Sequence, residues 1–474
     1  MRMKVPVGVF ICLLVTLKYT SQADINIAII GGGIGGTSCA YFLKQIFNDN
    51  VSIDLYEGDT IGGRLATVAL KDGNEYEAGG SIIHERNRYM SSFVDINGLE
   101  KNNNAVSERV GLYTNDGFEF IESSNHMVNI MKTLWRYGYG IKEMKNFIDD
   151  LLNKFDRIYE HQAAGHSYDT VNELLMAMDP AFSGYLNISI KDAFLNLGYS
   201  EKLIEEIVKA SIKVNYGQDV NVHQFVGAVS LAGMDGSLWA IKGGNKQVAE
   251  KLLNLSNARL IQEYVVQVTQ NNNNNETSYM ISTNTGRNLT YDYVVFAAPL
   301  AENQKIPIIF TDISSPLKNV GKYHRTVSTF VVGKLRNEKF TPLSDGSDAV
   351  LVIALNENEF FNSIGNIESV ASSSILRNWK VFSREPLTSY QLNELFESIS
   401  EVKSFDWLAY PHYEIPSKSL DFQLSDRLYH INAIEWAASA MEMSCVGAKN
   451  VALLIKKNID SNWNETNKWM RVEL

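Results

Sequence analysis

Cysteine is scarce in this chain of 474 residues: there are three, Cys12, Cys39 and Cys445. So few thiols cannot staple a chain of this size, which excludes a disulfide framework. No Cys/His spacing of the metal-ligand kind occurs, so no metal is expected. Positive charge is also short, with 43 Lys and Arg against 54 Asp and Glu and a net charge of -11. A phosphate backbone needs a basic footprint, and nucleic acid is therefore not expected as a partner. No run reaches the ~18–20 apolar residues that cross a bilayer. Nor is there a Ser/His/Asp or paired-carboxylate constellation to nominate for nucleophilic or acid–base work.

What the chain does have begins with a targeting segment. Arg2 and Lys4 precede the short apolar run 5–17, and Ser21-Gln22-Ala23 supplies small residues for cleavage. Residues 1–23 thus read as a signal peptide, and Cys12 leaves with it. Cys39 and Cys445 then read as small buried hydrophobes. With 45% hydrophobic residues and a length beyond the ~250–300 that one core serves, two domains are expected. In a secretory chain the N-x-S/T asparagines Asn187, Asn254, Asn275, Asn288 and Asn464 are glycan acceptors. Asn50 also fits the pattern, but it abuts a strand.

The chain is organised around residues 25–57. An apolar strand, 25–30, runs into Gly31-Gly32-Gly33-Ile34-Gly35-Gly36, a helical run follows to Phe47, and a second strand, 51–56, ends in Glu57. Strand, G-x-G-x-x-G, helix, strand and acid within about 30 residues is a dinucleotide-binding pattern. Gly31 permits the tight turn, Gly33 the approach of a pyrophosphate, and Gly36 the close packing of helix on strand. The helix start at Ile34 and Gly35 offers free N–H groups to phosphate. Glu57 lies ~20 residues beyond, where a carboxylate meets a ribose. Ile61-Gly62-Gly63-Arg64 and Glu77-Ala78-Gly79-Gly80-Ser81 follow. That pair of elements resembles the amine oxidase-like flavoproteins, and the resemblance implies FAD, with Gly63, Arg64, Gly79, Gly80 and Ser81 at the cofactor. His84, just after, reads as a backbone-bonded structural histidine or as a residue lining the flavin.

The remaining boundaries follow from periodicity. Residues 24–87 form the first part of the FAD-binding domain, and 88–224 are mostly helical, with aromatic residues such as Trp135 and Tyr139 read first as ordinary core. Residues 225–300 return to the FAD-binding domain, where the asparagine run 271–275 reads as a solvated hairpin loop. Residues 301–427 are strand-rich, with a helix expected at 387–398. Residues 428–474 close the FAD-binding domain through a strand and a helix starting near Ala433. The expected fold class is α/β: a discontinuous Rossmann-type FAD-binding domain with an inserted α+β substrate domain. By the flavoprotein resemblance, Val265 contacts adenine through its backbone, and Glu435 lies at the small-residue start of the last helix, near the cofactor.

The motifs IAIIGGGIGGTSCAYFL (27–43), IDLYEGDTIGGRLATV (53–68), YEAGGSIIH (76–84), NYGQ (215–218), FVGAVSL (225–231), LWAIKGGNK (238–246), YDYVVFAAPL (291–300) and IEWAASAMEMS (434–444) span most of the chain. Together they resemble the prenylcysteine oxidases, also called prenylcysteine lyases. The resemblance implies a lysosomal FAD enzyme that cleaves the thioether of farnesyl- or geranylgeranyl-cysteine with O2, giving cysteine, a prenyl aldehyde and hydrogen peroxide. Two rivals stay open: a secreted flavin amine or amino-acid oxidase, and a non-catalytic flavin-binding paralogue. The amino-acid oxidase would need an arginine clamp in its pocket, with Arg86, Arg136 and Arg325 as the choices. Peripheral contact with membrane or lipoprotein suits a prenyl substrate, although no strongly basic amphipathic stretch announces it.

Overall fold

The computed structural model describes residues 25–102, 109–114, 116–233, 237–273, 276–313, 321–340, 350–371, 378–418 and 421–472. The expected signal segment and Asn275 lie outside these residues, as does the side chain of Asn464.

A six-stranded sheet carries the glycine loop. Its order is Arg259–Ile261, Val51–Tyr56, Ile25–Ile30, Tyr293–Phe296, Leu428–His430 and Gln423–Ser425. The first five strands are parallel and the last is an antiparallel edge. A parallel sheet is covered on both faces, so its central strand must be apolar on both sides. Ile27 and Ile29 pack into one core and Ala28 and Ile30 into another, following the two-residue alternation of a strand. On the first face, helix Ile34–Phe47 lies between helices Lys246–Ser256 and Met441–Val472. Cys39 and Cys445 are both buried and unpaired there. The second face packs against a four-stranded sheet containing Val265–Asn273 and Glu276–Thr283.

The other large layer is a seven-stranded sheet in the order Phe396–Pro411, Tyr323–Leu335, Asn378–Ser383, Ser363–Ile367, Val350–Ala354, Arg109–Thr114, Gly117–Ile121. Helix Lys209–Tyr216 packs on its Val350–Ala354 strand and on helix Gln224–Ala232, which in turn packs on Gly140–Phe155. No helix among the described residues is long and apolar enough to cross a membrane.

Four local expectations are corrected. The hairpin Arg109–Ile121 interrupts the helical stretch, because Arg109–Thr114 completes the sheet by pairing in parallel with Val350–Ala354. Asn271, Asn272 and Asn273 continue a strand rather than forming a loop, held in register with Glu276–Ser278. The helix expected at 387–398 is confined to Ser389–Leu395: a Thr388–Gln391 capping box starts it, and Phe396 enters a long strand paired with Tyr323–Leu335. The last helix starts at Met441, not near Ala433, and a 3₁₀ turn, Ile431–Trp436, precedes it. The Trp436 carbonyl accepts from Ser417 Oγ and bonds His223 Nε2, while the Glu435 carbonyl accepts from Tyr413 Oη. Those carbonyls are therefore drawn away from an α-helical ladder.

Candidate active site

The glycine loop is fixed by backbone geometry. Gly31 has φ +115°, and a Cβ there would sit 2.7 Å from the Ala298 nitrogen; at Gly36 it would sit 1.9 Å from the Gly31 oxygen. Both glycines are thus demanded by the protein itself. Gly33 differs. Its φ is -71°, and a Cβ would meet only the Gly62 oxygen, at 3.7 Å. Internal packing does not require glycine at that position, and it faces the start of helix Ile34–Phe47, which no side chain caps. An uncapped helix N-terminus beside a glycine left open is a cradle for a phosphate group.

Glu57 stands at the end of the neighbouring strand. Its carboxylate accepts from the backbone N–H of Gly32 at 2.8 Å and of Asp59 at 2.9 Å, which fixes its orientation at the loop. Gly62 donates its N–H to the Gly32 carbonyl at 2.9 Å, bringing Gly63 against Gly33. Val265 is buried at the start of its strand, shortly after Arg259–Ile261, which extends the parallel sheet.

Arg64, which follows Gly63, and Glu435, 371 positions apart, form a charged pair. Glu435 is fully buried, and it also accepts from Tyr323 Oη at 2.9 Å and Asn432 Nδ2 at 2.7 Å. Arg64 donates to the Ala409 carbonyl at 2.6 Å as well. Burial works against the guanidinium charge, but the carboxylate more than offsets it, so the Arg64 pKa is raised. The Arg64 carbonyl accepts from Gly80 N–H, and a Cβ on Gly79 would lie 1.8 Å from it. The segment through Gly79, Gly80 and Ser81, between strands Glu75–Glu77 and Ile83–His84, is pinned against Arg64 for that reason.

Beyond Ser81 opens a cavity of about 490 Å³. Its walls are mainly aliphatic and aromatic, among them Leu112, Phe120, Ala210, Val214, Leu351 and Ile353. They come from the seven-stranded sheet and from helix Lys209–Tyr216. Polar residues also line it, among them Glu122, Asn215, Glu368 and Lys380, and Glu77, which sequence reading did not single out. Its Oε1 accepts from Asn245 N–H at 2.6 Å, its Oε2 has no partner among the described residues, and burial pushes its carboxyl up to about 7. The E-x-G-G-S pattern contains that acid, and only the fold shows that it reaches a cavity. His84 is not among the lining residues: its strand pairs with Leu238–Ile241, and its Nδ1 accepts from Arg86 N–H at 3.1 Å. None of the three arginines considered for a carboxylate clamp lines the cavity. Arg86 bonds Asp156, Arg136 bonds Glu206 and Arg325 bonds Asp406.

Residues 120–468 match the prenylcysteine lyase family model. The chain belongs to the prenylcysteine lyase family. Residues 29–96 match a NAD(P)-binding Rossmann-like domain. The chain is 40% identical to human prenylcysteine oxidase 1 over 450 residues, covering 90% of this chain and 88% of that one. It is 34% identical to human prenylcysteine oxidase 1-like, with 90% of each chain covered. Among solved structures, putrescine oxidase bound to putrescine superposes with a TM-score of 0.60 over 91% of this chain and 99% of that one, at 13% identity. That likeness concerns the fold. For a prenylcysteine lyase family member, the division of the matches is informative: the Rossmann-like match holds Gly31 through Ser81, and the lyase match holds Glu435 and the cavity walls from Phe120 onward.

Proposed function

We propose that this protein is an FAD-dependent oxidase that cleaves the thioether of farnesyl- or geranylgeranyl-cysteine. The observation that carries it is the largely apolar cavity that reaches Ser81, the residue after the Gly80 that bonds the Arg64 carbonyl, in a chain of the prenylcysteine lyase family. Its volume lies within the ~300–1,000 Å³ usual for small-molecule sites. Its walls suit an isoprenoid chain, each buried CH₂ of which contributes about 0.8 kcal/mol.

The cradle fits FAD by its own features: the open Gly33, the uncapped helix start at Ile34, Gly35 and Gly36, and the oriented carboxylate of Glu57. The first two would hold the pyrophosphate and Glu57 the ribose, with the Val265 backbone at the adenine. Gly63, Gly79, Gly80 and the Arg64–Glu435 pair would border the rest of the cofactor. Bound FAD supplies a two-electron acceptor that O2 can reoxidise. The chain's own contribution is to hold the allylic carbon in place and to keep the prenyl tail dry. The overall change balances as thioether, O2 and water going to prenyl aldehyde, free cysteine and hydrogen peroxide. The C–S bond breaks, the aldehyde oxygen comes from water, and sulfur leaves as the thiol. Cation stabilisation by the sulfur and the adjacent alkene makes a strong protein base unnecessary.

The leader 1–23 and the acceptors Asn187, Asn254 and Asn288, which are exposed, support passage through the secretory route to the lysosome, with secretion as the alternative. A prenyl substrate also favours peripheral contact with lipid. The activity is tested by mixing the purified flavoprotein anaerobically with farnesylcysteine. Bleaching of the oxidised flavin band, then peroxide on admitting air, is the expected result, and a band that stays oxidised would refute thioether oxidation.

A further inference from the structure

Helix His126–Tyr137 turns its apolar stripe outward. Met127, Ile130, Met131, Leu134 and Trp135 recur at three- and four-residue spacing, which places them on one face. All are exposed, Met131 by 68% and Trp135 by 89%, and Tyr139 just beyond the helix is 80% exposed. The side turned to the protein is polar instead. Asn129 bonds the Ser123 backbone, Arg136 forks onto Glu206, and Tyr137 Oη donates to the same carboxylate at 2.8 Å. Helices on globular proteins ordinarily bury the apolar side. Here polar bonds hold the helix to the body and leave a contiguous apolar surface facing out, which marks an interaction site.

Charge and position identify the partner. Within residues 126–146 there are four basic side chains and one acidic, in a chain whose net charge is -11. Lys132, Lys142 and Lys145 are exposed around the apolar stripe. Trp and Tyr beside lysines suit the headgroup level of an anionic bilayer, where apolar burial and charge attraction add. The helix also adjoins the cavity. Phe120 and Glu122, just before it, line that space, and so does Ile207, next to the anchoring Glu206.

We propose that helix His126–Tyr137 is a membrane-docking helix, seated in the headgroup region of an anionic bilayer so that a prenylated substrate passes from lipid into the cavity. The proposal rests on the prenyl-substrate reading. The test uses purified holoprotein, vesicles of phosphatidylcholine with a minority of phosphatidylserine, and the double variant Met131→Asp/Trp135→Asp, whose side chains are exposed. The parent is expected to co-sediment with the vesicles, and the variant to lose at least about tenfold in partitioning per substitution. Turnover of farnesylcysteine should drop for the variant when the substrate is held in vesicles and stay unchanged when detergent disperses it. Vesicle binding is read without turnover, so a parent that binds but does not turn over would count against the activity alone. A parent that stays in the supernatant, or a variant that binds as well as the parent, would overturn the proposal. So would a parent dimer that the variant dissociates, since a second copy would then cover the stripe.

Discussion

Backbone and glycine give the cradle its shape, and most of it lies within residues 31–63; the cavity takes its walls from segments between Glu77 and Phe382. The first is over-determined: a methyl group at Gly31 or Gly36 collides with backbone that cannot yield. The second is a largely apolar surface with polar residues among its walls, on which one methylene more or less is expected to change affinity rather than folding. Cofactor retention should therefore respond to single atoms near residues 31–36, and substrate preference to side-chain volume between 110 and 382.

The sharpest test of that contrast is the pair Gly36→Ala and Gly33→Ala. The first forces a Cβ to within 1.9 Å of the Gly31 oxygen, so it should lose bound flavin and about 3 kcal/mol or more of stability in thermal unfolding. The second meets only an oxygen at 3.7 Å, so the apoprotein should stay within about 0.5 kcal/mol of the parent while flavin affinity falls. Equal stability losses in both would erase the distinction between a packing glycine and a binding one.

Glu435→Gln should cost about 3 kcal/mol in denaturant unfolding. It leaves the Arg64 charge without its partner, and the penalty is at the low end because about a third of the Arg64 side chain stays accessible. Ala210→Leu, by filling the cavity, should lower kcat/KM for geranylgeranyl-cysteine about tenfold, and less for the shorter farnesyl substrate, with the flavin spectrum unchanged. Loss of flavin in that variant would mean that cavity and cradle are not separable.

A pH-dependent effect concerns Glu442, which accepts from Tyr89 and Met90 N–H and from Tyr159 Oη. Burial raises its carboxyl from 4.5 to about 7. The folded state then holds a proton that the unfolded chain has released. This contribution is complete below pH 4.5 and is lost as pH rises through 7. Between those limits the parent should lose stability relative to Glu442→Gln by at most about 1.4 kcal/mol per pH unit, followed by urea unfolding. The buried His223 and His430 and the half-buried His324, pushed down to about 4, 3 and 4, oppose this trend in the parent below pH 6.5 and are common to both proteins.

The cradle was legible in the sequence because its signals are local: the glycines, the strands that flank them and Glu57 lie within one βαβ unit. The flavoprotein fold followed from the same stretch and its sequel through Ser81. Arg64 was named from its motif, but its pairing with Glu435 depends on a 3₁₀ turn that replaces the expected helix start, and long-range carbonyl bonds set that turn. The cavity was invisible, since Leu112, Val214 and Ile353 meet only through tertiary folding. The periodicity around Trp135 was readable, but not its direction. Spacing shows that a helix has an apolar face, and only the polar anchors at Asn129, Arg136 and Tyr137 show that this face points away from the body.

The central strand Ile25–Ile30 lies between Val51–Tyr56 and Tyr293–Phe296, and the next strand across is Leu428–His430. During synthesis the first glycine emerges hundreds of residues before the segment that finishes its sheet. The cradle cannot close until the polymerising chain has delivered the helix starting at Met441, which packs on the glycine-loop helix. Cofactor capture is therefore expected late in synthesis, and a chain that stops before that helix is expected to fail to retain flavin.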